Sequence, residues 1–166
     1  MHRDIHLRPA TEQDLEFLYD VYASSRATEL AVVPWDETQK TAFLRMQFNA
    51  QHTYYHQHFT QAHYDLVELD GEPVGRLYVD VRPDEIRIID IALLDDCRGR
   101  GIGSQLLYNV LARGQALGVP VRIHVEKNNP ALHLYHRLRF RVIEDQGVYY
   151  FMEWQPQPPT ANLLSE

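Results

Sequence analysis

The period of apolar and polar positions changes several times along this chain, and each change marks an element. Ile5 to Arg8 is a short extended run stopped by Pro9. Thr11-Glu12-Gln13-Asp14 then has the form of a capping box with Asp in place of the usual Glu, and Leu15, Leu18, Tyr19 and Tyr22 follow at helical spacing. Asp36, with Gln39 in the reciprocal capping position, opens a second helix that carries Phe43, Leu44, Met46, Gln47 and Phe48 toward Tyr55. The period then falls to two. Tyr64–Leu69, Val74–Val81 and Glu85–Leu94 read as strands, divided by turns at Asp70-Gly71 and Pro83-Asp84. The third, with Ile86, Ile88, Ile89, Ile91, Leu93 and Leu94, is too apolar for a half-exposed edge and belongs in the middle of a sheet.

Helical spacing returns at Ile102–Leu117, with Leu106, Leu107, Val110 and Leu111 on one face and Gly118 and Pro120 at its end. Val121–Val125 is a strand and Pro130–Leu138 a short helix with proline near its first turn. Val142–Glu144 and Val148–Trp154 close the pattern as a hairpin around Gly147. The order βαα, three meandering strands, αβα and a hairpin predicts a mixed α/β fold with an antiparallel front half.

Length and charge narrow the function classes. A chain of 166 residues is expected to form one domain, here 1–154, with 155–166 and its three prolines as a tail. Sixteen Lys and Arg against 23 Asp and Glu give a formal charge of −7. An acidic surface repels phosphate backbones, so no nucleic-acid partner is expected, although one local basic pocket for a small anion is compatible with it. The lone Cys97 excludes an internal disulfide or a multi-cysteine zinc site. Met1-His2-Arg3-Asp4-Ile5-His6 lacks the apolar core of a secretory signal, and no apolar run approaches the roughly 18 residues of a membrane span, so the expectation is a cytoplasmic protein without a membrane partner.

The stretch that carries chemistry is Asp95-Asp96-Cys97-Arg98-Gly99-Arg100-Gly101-Ile102-Gly103-Ser104, which joins the apolar strand to a helix. Small residues there let backbone N–H groups at the helix start approach a ligand closely, the N-terminal dipole favours negative charge, and Arg98 and Arg100 add cations. This reads as a pyrophosphate site. The run lacks Gly-x-Gly-x-x-Gly and follows an antiparallel meander, which argues against a dinucleotide fold, and no Gly-Lys-Ser/Thr ends it, which argues against a nucleotide triphosphatase. His52 and His56, at i,i+4 spacing within the set His52, His56, His58 and His63, could chelate zinc, but they lack a third ligand or the Glu of His-Glu-x-x-His, so they read as a polar surface and no metal is expected.

Arg98-x-x-Gly101-x-Gly103 resembles the acetyl-CoA pyrophosphate motif of the GNAT superfamily of N-acetyltransferases. The downstream run from His124 to Phe140, with Asn129, Ala131 and Leu134-Tyr135, is similar to that family's second signature, and the element order agrees from Ile5 to Trp154. The resemblance implies an acyl-CoA N-acyltransferase fold, with a central, mostly antiparallel sheet and about four helices. It further implies acetyl-CoA as cosubstrate, held by the backbone of Ile91, Ala92 and Leu93 on a bulged, splayed strand, by Arg98, Gly99, Arg100, Gly101, Ile102, Gly103 and Ser104, and by Asn129, or Asn128 if the gap is counted from Tyr135. Tyr135 matches the tyrosine that protonates the leaving thiolate. Leu138-Arg139-Phe140 departs from the usual Leu-Gly-Phe, and a positive φ there would cost Arg139 on the order of 1 kcal/mol.

Direct attack by an amine needs assistance in losing a proton, and Asp90, His124 and Glu85 are the candidate groups. Asp90, a charge inside an apolar run, should be paired or face a cleft. Glu29, Trp35, Phe48, Tyr149 and Tyr150 are candidates for the acceptor pocket, though each aromatic equally suits core packing. The implied activity is N-acetylation of a primary amine on a small molecule, peptide or protein. A CoA-binding regulatory module with little turnover is the alternative. A toxin that acetylates charged tRNA is disfavoured by the acidic balance. Pairing of the strand-rich C-terminal end across two chains, a homodimer, is left open.

Overall fold

The computed structural model describes residues 4–158. Strands β1 (Ile5–Pro9), β2 (His63–Leu69), β3 (Glu72–Val81), β4 (Ile86–Leu93), β5 (Val121–Glu126), β6 (Arg141–Gln146) and β7 (Tyr149–Trp154) form one sheet in the order β1-β2-β3-β4-β5-β7-β6. Four helices accompany it: α1 (Leu15–Ala31), α2 (Glu37–His58), α3 (Ile102–Leu117) and α4 (Leu132–Arg137). The apolar run around Ile88 is the middle strand, as its composition requires. The β1–β2, β2–β3, β5–β7 and β6–β7 pairs are antiparallel and β4–β5 is parallel, which makes the sheet mixed and mostly antiparallel. In the closing hairpin the second arm, β7, lies beside β5, and the first arm, β6, takes the edge. No helix among the described residues is long and apolar enough to cross a membrane.

The chain packs as two compact units, one comprising residues up to Asp80 together with Ile89–Gly103, the other Val81–Ile88 together with the chain from Ser104 onward. In the first, α1 and α2 bury Leu18, Tyr19, Tyr22, Leu30, Leu44 and Phe48 with Leu66 and Tyr78 of the strands. Burial of each large apolar side chain stabilises the fold by roughly 1.5–3 kcal/mol. Leu15, expected in the buried stripe of α1 with Leu18, Tyr19 and Tyr22, is exposed.

Both capping predictions hold in detail. The Thr11 N–H donates to Asp14 Oδ2 at 2.7 Å, and a 3-10 turn at Glu12–Asp14 precedes α1. Arg8 grips both oxygens of Asp14, and with the Thr11 amide it holds that carboxyl down at about 2. At α2, the Gln39 N–H donates to Asp36 Oδ1 at 2.8 Å while the Asp36 N–H donates to Gln39 Oε1 at 3.0 Å. The Asp70-Gly71 turn has φ of 52° and 86°, the paired left-handed residues that join twisted strands tightly.

Gly75 on β3 is required by the closeness of β4. A Cβ there would clash with the carbonyl oxygen of Ala92 and stand 2.7 Å from Leu93 Cδ2. Gly75→Ala is therefore expected to destabilise the protein by about 1–3 kcal/mol through overpacking against backbone that cannot swing aside. A urea midpoint equal to that of the unaltered protein would show instead that β3 and β4 separate without penalty.

In the second unit, α3 buries Leu106, Leu107, Val110 and Leu111. It approaches the strands closely at Gly114, where a Cβ would lie 2.9 Å from Val121 Cγ2 and 3.2 Å from Trp154 Cζ3. Gly118, with φ of 68°, ends the helix as predicted. Beyond β7, the Gln157 N–H donates to Gln115 Oε1 at 2.8 Å and Gln115 Nε2 donates to the Gln157 carbonyl at 3.0 Å. Of the tail expected at 155–166, residues 159–166 lie outside the described residues.

Arg139 does occupy the left-handed region, with φ of 72°. Replacing it by glycine removes the contact between Cβ and carbonyl but frees the unfolded chain, so Arg139→Gly is expected to gain about 0.5–1 kcal/mol. In a thermal scan this would appear as a midpoint about 2–4 °C higher. An unchanged or lowered midpoint would mean that the arginine side chain returns what its backbone loses.

Candidate active site

Apart from Asn129, the expected cofactor-binding residues lie where β4 ends and α3 begins. The parallel register with β5 runs from Ile86↔Val121 to Ile88↔Ile123, while β4 continues as a strand through Ile91 and Ala92 to Leu93. After it, a 3-10 turn at Asp95–Cys97 is tied back by the Cys97 N–H to the Leu94 carbonyl at 2.9 Å and by the Asp95 N–H to Ser24 Oγ at 3.0 Å.

From Arg98 to Gly101 the sign of φ alternates, with glycines at +72° and +84°. The first amides of α3 have no partner inside their own helix. A Cβ at Gly99 or Gly101 would meet nothing within 4 Å, so these glycines serve the backbone conformation, and no side chain fills the space beside them. Such a cradle suits a phosphate-bearing ligand. The side chain of Ile102 is buried, so this residue has only its backbone to offer there.

Arg98 takes part in the cradle's own framework. Its Nε donates to the Leu93 carbonyl at 3.2 Å, and its Nη1 donates to Asp95 Oδ1 at 2.8 Å. The Asp95 pair is exposed and stabilises little, whereas the bond to Leu93 joins the loop to the end of β4. Cys97 is buried, and burial together with Asp96 pushes its thiol up, so it is not poised as a nucleophile.

Asp90 is paired with Arg76, whose side chain is only 3% exposed and whose Nη2 also donates to Gln51 at 2.9 Å. Arg76 is the residue the sequence reading missed. Its signal was available, since it is a lone charge in the apolar run Val74-Gly75-Arg76-Leu77-Tyr78-Val79 and such a charge needs a counter-ion. Which carboxylate supplies it depends on how β3 and β4 align. The buried hydroxyl of Tyr78, beneath the Arg76 guanidinium, has no hydrogen-bond partner among the described residues.

Glu85 is enclosed by arginines: Arg82, Arg87 and Arg122 all reach its oxygens at 2.9–3.1 Å. Although burial favours its neutral form, Arg122 and Arg87 together hold its carboxyl below the usual range. His124 projects from β5 and stacks on Phe151 of β7, with ring centroids 4.4 Å apart. Burial and then Arg87 push its imidazole down, leaving it neutral near pH 7.

Tyr135, on α4, is 3% exposed and meets Phe140 edge-on at 5.4 Å. Asn129 Oδ1 accepts from the Ala131 N–H at 2.8 Å at the approach to α4, and its amide nitrogen remains a donor. The acceptor candidates divide: Phe48 is core, Glu29 pairs with Arg26 on the surface, Trp35 and Tyr149 are exposed, and Tyr150 lies under Lys127. His52, His56 and His58 stack on Phe48, Tyr64 and Tyr54 respectively.

Comparison with known proteins bears on the whole arrangement. Residues 18–140 match the acetyltransferase (GNAT) family. A mycothiol acetyltransferase from Thermobifida fusca is 35% identical over 95 residues, which are 55% of this chain and 26% of that protein, so this chain spans about a quarter of that relative's length. The PaiA N-acetyltransferase of Thermoplasma acidophilum, solved in complex with coenzyme A, superposes with a TM-score of 0.70 at 18% identity, covering 92% of this chain and 99% of the other. An acetyltransferase from Thermus thermophilus gives 0.65 at 22% identity over 91% and 96% of the two chains. The ribosomal-protein-S18-alanine N-acetyltransferase of Escherichia coli gives 0.62 at 17% over 95% and 97%. At these identities the structures speak for the fold, and the family match covers well over half of the chain. Taken with the β4–α3 cradle, the match establishes that this chain belongs to the GNAT family of acetyltransferases.

Proposed function

We propose that this chain transfers the acetyl group of acetyl-CoA to a primary amine, on a small molecule or at an amino group of a peptide or protein, with residues 1–154 as the acetyltransferase domain. The observation that carries the reading is the β4–α3 connection, a strand end followed by two left-handed glycines and the first turn of a helix. Acetyl-CoA supplies the activated acyl carbon. The amides of Gly99, Arg100, Gly101, Ile102, Gly103 and Ser104 bind its pyrophosphate, braced by Arg98. The backbone of Ile91, Ala92 and Leu93 takes the pantetheine arm, and the free amide nitrogen of Asn129 adds a donor. That β4 outruns its ladder with β5 supports this placement.

In the reaction a nitrogen–carbon bond forms as the carbon–sulfur bond breaks. Tyr135 gives its phenolic proton to the departing sulfur, and the second proton lost by the nitrogen as the amide forms restores the phenol. Asp90 or His124 accepts the proton that the ammonium loses, directly or through water. The neutral state of His124 suits it to that task, whereas Asp90 already serves Arg76 as counter-ion. The relatives carry different compounds in their names, mycothiol in one and the alanine of ribosomal protein S18 in another, so the reading stops at the amine class.

The test is acetyl-CoA binding by calorimetry, followed in the same preparation by thiol release against polyamines, aminoglycosides, amino acids and peptides. Binding with acceptor-dependent thiol release is the expected result. Binding without release against every acceptor would favour a regulatory CoA-binding module, and absence of binding would overturn the reading.

A further inference from the structure

A second cationic site lies within the second unit. An open cleft of about 490 Å³ is lined by His136, Arg139, Phe140, Arg141, Gln155 and Gln157. Its volume is in the range of small-molecule sites, and among the described residues no carboxylate lines it. The strand register places it at a distance from Asn129. Arg141 pairs with Glu153 beside Trp154↔Val121 at the start of β5, whereas Asn129 follows the far end of that strand, where Glu126 pairs with Tyr149.

Two arginines share this cleft in a protein of net charge −7. Arg8, Arg26, Arg45, Arg76, Arg82, Arg87, Arg98 and Arg122 each contact a carboxylate. Among the described residues, neither the Arg139 nor the Arg141 guanidinium has a hydrogen-bond or ion-pair partner. The nearest carboxylate in the register, Glu153, is committed elsewhere: Oε2 accepts from Arg122 at 2.9 Å and Oε1 from Gln155 at 2.7 Å. Arg139 also stands in the left-handed region at φ of 72°, a position where glycine would be unstrained. Backbone strain that persists in a side chain lining a cleft is a pointer to function.

The geometry points to a binding site for a small anion carrying a carboxylate or phosphate group, held by the paired guanidiniums of Arg139 and Arg141, with His136 and the amides of Gln155 and Gln157 as additional donors. Planar guanidinium groups suit both chemistries because each can meet two oxygens at once. The site shares no residue with the β4–α3 cradle and does not depend on acetyl transfer.

The test is a titration of the ¹⁵N-labelled protein with inorganic phosphate and, separately, with citrate, against potassium chloride at matched ionic strength. Saturable shifts of the amides at 136–141 and 155–157 are expected with at least one of the two anions, and which one identifies the chemistry. Arg139→Gln combined with Arg141→Gln should weaken that response about tenfold or more. Arg141→Gln alone, on the fully exposed strand β6, keeps the test readable if the double variant is poorly folded. Shifts confined to residues 98–104, or a linear response equal to that of chloride, would overturn the proposal.

Discussion

Tyr135→Phe is expected to lower the turnover of acetyl transfer by about 10²–10⁴-fold while leaving stability and acetyl-CoA affinity close to those of the unaltered protein. The substitution removes one oxygen from a ring that is 3% exposed and keeps the edge-on contact with Phe140. A phenol carries one O–H that can be given to the sulfur as it departs. If Tyr135 were only a packing residue, the loss would appear in the melting temperature and in KM, with kcat spared. Measuring kcat, KM and the thermal midpoint on one preparation separates the two roles, and an unchanged kcat would remove Tyr135 from the mechanism.

The second large effect is expected on stability. Asp90→Asn leaves the Arg76 charge buried at 3% exposure without its carboxylate, facing the Gln51 amide and the Tyr78 ring, and breaking a buried pair from one side costs about 3–5 kcal/mol. Removing both charges together, as Asp90→Asn with Arg76→Met, should recover most of that loss, because a buried pair often stabilises little over an apolar replacement. Denaturation in urea of the single and double variants gives both numbers, and a single variant within about 1 kcal/mol of the unaltered protein would show that the pair is not holding β3 to β4. The recovered double variant also reads the chemistry. If it binds acetyl-CoA but no longer acetylates, the proton goes to Asp90; if it keeps its rate, His124 is the remaining base.

These variants mark the boundary between local and tertiary information. Both helix caps were readable because each is a four-residue device: Thr11 with Asp14 and Asp36 with Gln39 carry donor and acceptor within one turn. The extent of α3 and the central place of β4 were readable because period and unbroken hydrophobicity record burial directly. The glycines of the cradle were readable for a similar reason, since a left-handed backbone at 99 and 101 restricts the residue at that very position. Arg139 announced its strain by standing where glycine was expected, and φ of 72° agrees.

What the chain alone did not disclose are relations between residues far apart in sequence. The counter-ion of Asp90 is Arg76, 14 residues away on another strand, and the choice depends on strand alignment. Glu85 draws in Arg122 from 37 residues away, which converts a candidate base into the centre of an arginine cluster. The order of β6 and β7, with the later strand inside, likewise follows from which arm buries Met152 and Trp154, a matter of packing that period cannot decide. The sequence by itself therefore determined the elements, the caps and the cradle, whose causes are local. Only the tertiary structure decided which charges are neutralised and which, at Arg139 and Arg141, are left for a ligand, because long-range pairing is settled by the register of strands rather than by the identity of any one residue.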